Sequence, residues 1–111
     1  MRFLFLNLIS AIMLIAAFSQ ISLGQDDGFT ETEDQSGFAQ SLPGSVSDVI
    51  QANWTSAIDL WVYADGVNQA TARNIALDVI YLGKNQLDQS FCVHVHNGDF
   101  QAIAEYCWSA P

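Results

Sequence analysis

Positive charge is nearly missing from this chain: 3 Lys and Arg stand against 12 Asp and Glu, a formal net charge of −9. Such a balance repels phosphate backbones and anionic lipid surfaces, so nucleic-acid binding and attack on anionic membranes are excluded as functions. Cysteine is scarce, with only Cys92 and Cys107. They lack the Cys-x-x-Cys spacing and a nearby cation, which argues against a redox pair. No serine sits in Gly-x-Ser-x-Gly and no glycine-rich phosphate loop is present. No acidic run matches a calcium loop, and no internal repeat occurs. None of the roles an active site requires is filled, and a non-enzymatic protein is expected.

Only one long hydrophobic run exists. Arg2 precedes Phe3 to Phe18, which is interrupted only by Asn7 and Ser10, and Ser22-Leu23-Gly24 supplies small residues at the ends of a cleavage triplet. This is the layout of a secretory signal peptide over 1–24. A membrane span needs roughly 20 apolar residues. Phe3 to Leu23 reaches that length only by including Asn7 and several Ser and Gln residues. Cleavage after Gly24, with no stable membrane anchoring afterwards, is therefore the expectation. The mature chain would keep 87 of the 111 residues, with Arg73 and Lys84 against all 12 acids, a charge of −10.

Gln25 to Gly44 holds five acids, no cation, three glycines and a proline. It buries too little apolar area to offset its ordering entropy, so 25–44 reads as a disordered acidic tail. Its alternative role is a short docking peptide anchored by Phe29 and Phe38. Residues 45–111 then form the folded domain, small enough to need a staple.

Within it, Val46, Val49, Ile50, Trp54, Ala57, Ile58, Trp61 and Val62 follow helical spacing, which predicts a helix over 45–64 stopped at Asp65-Gly66. Asn68 caps a second helix over 69–82, stopped by Gly83, with Ala72, Ile75, Ala76, Val79 and Ile80 as its main stripe. The short Gly66-Val67-Asn68 link predicts antiparallel packing of the two. Phe91 to His96 alternates, and Asn97-Gly98 is a hairpin signal. A two-residue turn, however, sets Cys92 opposite Ile103, too far from Cys107 to bond. A helix after Asp99 brings Cys107 nearer. The reading is a mainly α fold, a small antiparallel helical domain stapled by one disulfide. The alternative is α+β with a C-terminal β-hairpin at 91–107.

Export places the two cysteines in an oxidising compartment, so a Cys92–Cys107 disulfide is expected. His94, His96 and Asp99 could converge on zinc or copper if His94 and His96 share a strand face; as two ligands and a third, they make a thin set. Arg73, Leu77, Tyr81 and Lys84 fall within one arc of the second helix, a candidate interaction patch holding both cations of the mature chain. Trp54 and Trp61 read as core. Asn53-Trp54-Thr55 is the one glycosylation sequon and Asn53 a candidate site; on the expected helix Asn53 points into the apolar stripe, where a glycan cannot sit, so either the site is unused or the helix starts later, capped by Thr55 or Ser56. The functional expectation is a secreted interaction or structural protein that binds an extracellular protein or associates with itself. The alternative is a metal- or small-ligand-binding protein using His94 and His96.

Overall fold

The computed structural model describes residues 28–111. The expected signal segment 1–24 and the first residues of the expected tail lie outside the described residues. The elements run α1 (Glu33–Ser45), β1 (Gln51–Trp54), β2 (Asp59–Tyr63), α2 (Gln69–Gln86), β3 (Phe91–His96) and β4 (Ala104–Trp108). The four strands form one sheet in the order β1-β2-β3-β4. β1–β2 and β3–β4 are antiparallel pairs, and β2 and β3 are parallel, joined by the α2 crossover. The fold is α+β, and the mainly α expectation is overturned.

The largest correction falls on 45–64, which forms the β1–β2 hairpin and not a helix. The helical stripe there is a coincidence of spacing. Two of its members, Ile50 and Ile58, are each 51% exposed, while Leu60 and Val62, two apart, are fully buried. Period two wins because Asp59-Leu60-Trp61-Val62-Tyr63 alternates and is β-branched and aromatic, which suits a pleated, half-buried surface. Ser56 makes the turn: its hydroxyl oxygen accepts from the N–H groups of Ile58 and Asp59.

The second correction concerns the tail, because Glu33–Ser45 is helical. Thr32 and Gln35 form a reciprocal capping box, satisfying two backbone donors that would otherwise lack partners. Gln35, Phe38, Ala39 and Leu42 then fall on one buried face. Glu33 and Asp34 of the helix are exposed, so the acidic composition hides a usable apolar stripe. The Trp54 indole N–H donates to the Gln35 carbonyl at 2.8 Å, tying α1 to β1. Pro43 lies in the last turn, where its missing N–H leaves the Ala39 carbonyl without a helical donor and helps end the helix.

Asn68 caps α2 as expected, its side chain accepting from the Thr71 N–H at 2.8 Å. Gly83, expected to stop the helix, is buried inside it, and α2 continues to Gln86. The core lies between the helices and one sheet face: Phe38 and Leu42 of α1, and Ala72, Ile75, Ala76 and Val79 of α2, against Leu60, Val62, Phe91, Val93 and Val95.

The segment after Asp99 is strand β4, not a helix. It pairs with β3, but the link is 97–103 and not a two-residue turn at Asn97-Gly98. The Ile103 N–H donates to the Val95 carbonyl, and Gly98 and Phe100 take positive φ values of 120° and 56°. The longer link slides the register so that Cys92 faces Cys107 directly. The Cys92–Cys107 disulfide is formed there, between neighbouring strands.

Candidate functional site

Both helices pack on one side of the sheet, and strand alternation sends every second side chain to the other side. Leu60 and Val62 face the core, so Asp59, Trp61 and Tyr63 face outward from β2. Phe91, Val93 and Val95 face the core, so Cys92, His94 and His96 face outward from β3. Register aligns these sets in rows. Asn53, Trp61, His94 and Glu105 form one row, and Tyr63 pairs with His96 in the next. Among the described residues no helix lies over this face.

Its rings form one contiguous cluster of two stacks joined by tilted and edge-on contacts. Trp61 lies over His94 with ring centroids 4.7 Å apart, Tyr63 over His96 at 5.4 Å, and Phe100 over His96 at 4.3 Å. Trp61 also meets Phe100 at 5.7 Å and the edge of His96 at 5.8 Å. Offset aromatic pairs at such distances are each worth about 0.5–1.5 kcal/mol beyond area burial, so the stack is a firm surface. Phe100 forms its outer rim and is 46% exposed. It is carried by the 97–103 link, whose shape depends on His96. The His96 Nδ1 accepts from the N–H groups of Gly98 at 3.1 Å and Phe100 at 3.3 Å. Nδ1 is thus the unprotonated nitrogen and the ring proton sits on Nε2. Burial holds the His96 pKa below the ordinary histidine value, against a smaller upward pull from Asp99.

Beside the stack runs a polar chain. His94 stands between two carboxylates, with Nε2 2.8 Å from Asp59 Oδ1 and Nδ1 2.5 Å from Glu105 Oε2. An imidazolium donates to both, whereas a neutral ring donates to one. The Ser56 hydroxyl donates to Asp59 Oδ2 at 2.7 Å. Burial raises the Asp59 pKa, but hydrogen bonds from His94 and Ser56 and the charge of His94 outweigh it and hold the carboxyl below its ordinary value. The Ser56 proton is directed at a carboxylate, with no imidazole placed to receive it. This order does not make a serine nucleophile.

The sequence-predicted sites fare differently. His94 and His96 do share a strand face, but a metal needs ring lone pairs. Both His94 nitrogens address carboxylates, and the Nδ1 lone pair of His96 is taken by backbone N–H groups. Asp99 caps its own loop, accepting from the Gln101 N–H. Among the described residues no group of three or more His, Cys, Asp and Glu could hold a metal ion. Arg73, Leu77, Tyr81 and Lys84 are all exposed on α2, with Leu77 at 44% and Tyr81 at 62%. The Lys84 ammonium lies over both the Tyr81 and Trp108 rings, at 5.2 and 5.5 Å from their centroids. Asn53 is exposed on β1, so the conflict between the sequon and a buried helical stripe disappears.

Trp61, Tyr63, Phe100, Asp59 and Glu105 were missed as site residues. Reading 45–64 at helical period turned Trp61 inward. The signal that finds it is the alternation from Asp59 to Tyr63, which puts Trp61 opposite to Leu60 and Val62. No protein-family model matches this chain, and no curated protein and no solved structure matches it.

Proposed function

We propose that the protein is exported with loss of 1–24 and acts outside the cell as a non-enzymatic binding protein. Its contact surface is the sheet face centred on Trp61, Tyr63 and Phe100, which pack over the buried His96 ring. The observation that carries this reading is the contiguous ring cluster on a face that no helix covers among the described residues. Rigid aromatic side chains give large contact area at low entropy cost, and they dominate binding hot spots. The partner is a cationic segment of an extracellular protein. Arg and Lys side chains are attracted to exposed ring faces. The mature chain's net charge of −10 steers them in, and Asp59, Asp99 and Glu105 line the approach.

The test uses a defined probe, an arginine-rich octapeptide, with a glutamate-rich octapeptide as control. Titration followed by tryptophan fluorescence should show saturable binding to the arginine peptide that weakens as salt rises. Trp61→Ala/Phe100→Ser should weaken it at least tenfold, while Leu77→Ser/Tyr81→Ser leaves it unchanged. Equal response to the two peptides, or an unaltered Trp61→Ala/Phe100→Ser protein, refutes the face. Light scattering on the mature protein separates self-association from capture of a different partner.

A further inference from the structure

The edge of the open face carries a feature that the binding reading does not use. Strand β1 is an outer strand of the sheet, and the sequon Asn53-Trp54-Thr55 runs across its end. Alternation splits the triplet. Trp54 is 3% exposed and turned into the core, with its indole N–H held by the Gln35 carbonyl. Asn53 is exposed and Thr55 half-exposed, both turned the other way. The two residues a glycosyl transferase must reach are therefore presented together, and the middle residue anchors them.

We infer that Asn53 is N-glycosylated and that its glycan walls the β1 margin of the open face. This rests on the export reading above. In the reaction, the Asn53 Nδ2 attacks C1 of the reducing-end sugar of a lipid-diphosphate oligosaccharide from the secretory compartment. The N–C1 bond forms, the C1–O bond to phosphate breaks, the lipid diphosphate leaves and Nδ2 gives up one proton. No redox partner is required.

The placement has two consequences. β1 exposes a row of backbone groups that another strand could pair with, and a bulky hydrophilic group there blocks such pairing. Asn53 also stands directly opposite Trp61 in register, on the same face. The first sugars lie beside the Trp61 ring, and a partner must approach over β2, β3 and the 97–103 link.

The experiment is secretion of the full chain from a eukaryotic cell line. The medium is analysed by intact mass before and after an amidase that releases Asn-linked glycans and leaves aspartate at 53. A mass loss of a whole oligosaccharide is expected. It should be absent in Asn53→Gln and Thr55→Ala and retained in Thr55→Ser. A chain secreted without 1–24 but unshifted by the amidase overturns the glycan and leaves the export reading intact. A chain retained in the cells at full length overturns both. Acrylamide quenching should be weaker in the glycosylated protein than after amidase, a difference lost in Trp61→Phe. Equal quenching overturns the placement beside Trp61.

Discussion

Replacing Gly83 by alanine sets two effects of known sign against each other. In an open helix interior the change stabilises, because glycine costs about 1 kcal/mol relative to alanine. Here a Cβ would overlap Phe91 Cζ and stand only 3.1 Å from both Cε atoms of that ring. Phe91 has nowhere to retreat. It is 1% exposed and wedged between the rings of Phe38 and Trp54, at 6.4 and 6.1 Å between centroids. Overpacking of this kind costs about 1–3 kcal/mol, so strain outweighs propensity and Gly83→Ala should destabilise by about 1 kcal/mol net. With a urea m-value of about 1 kcal/mol/M for a chain this small, the midpoint should fall by about 1 M. Urea unfolding followed by tryptophan fluorescence reads this, since Trp54 touches the affected ring. The decisive arm is a cycle with Phe91→Leu, which removes the overlapping atoms. In that background Gly83→Ala should stabilise by about 1 kcal/mol, giving a coupling of about 2 kcal/mol. A raised midpoint in the parent protein, or equal effects in both backgrounds, refutes the packing argument.

Loss of the disulfide in Cys92→Ala/Cys107→Ala should cost about 3 kcal/mol, the chain-entropy value for the 15-residue separation; chemical denaturation measures it, and a change below about 1 kcal/mol would show that the β3–β4 ladder alone sets the stability. Stability should also fall as pH drops below the ordinary histidine value of 6.5, because burial lowers the His96 pKa in the folded state and the unfolded chain takes up the proton first. The slope should flatten in His96→Asn, whose amide oxygen can accept from the Gly98 and Phe100 N–H groups but gains no proton; an unchanged slope refutes the assignment. A further loss at lower pH follows from Asp59, whose carboxyl is held below its ordinary value when folded and whose contribution disappears as pH falls through that lowered value.

The unevenness of the sequence reading has identifiable causes. Helix α2 was legible because its cap and its stripe agree: Asn68 precedes Ala72, Ile75, Ala76 and Val79, and all four are buried. The run from 45 to 64 was misread because Trp54 and Val62 are buried under either period. The outward turn of Trp61 and the exposure of Ile50 and Ile58 separate the two periods, and burial is a property of the whole fold. Helix α1 was hidden by composition, since the segment 25–44 carries five acids against the few apolar residues that matter, Phe38, Ala39 and Leu42. Its stability comes from packing Phe38 and Leu42 against the sheet, as is general for helices this short. The open face was missed for the reason that hid β2: the residues that build it come from two strands and a link, far apart in sequence.

What the amino-acid order settled unaided was local chemistry. It marked the acidic balance, the Asn68 cap, the sequon and the only two cysteines available to pair. Each of these depends on residues adjacent in sequence or on counting. The tertiary structure decided which period 45–64 adopts, how far the β3–β4 link reaches, and therefore which residues face Cys92 and Cys107 across the ladder. It also decided that, among the described residues, one sheet face is left without a helix. These outcomes depend on burial against distant partners, a free energy shared across the whole core, which no window of neighbouring residues contains.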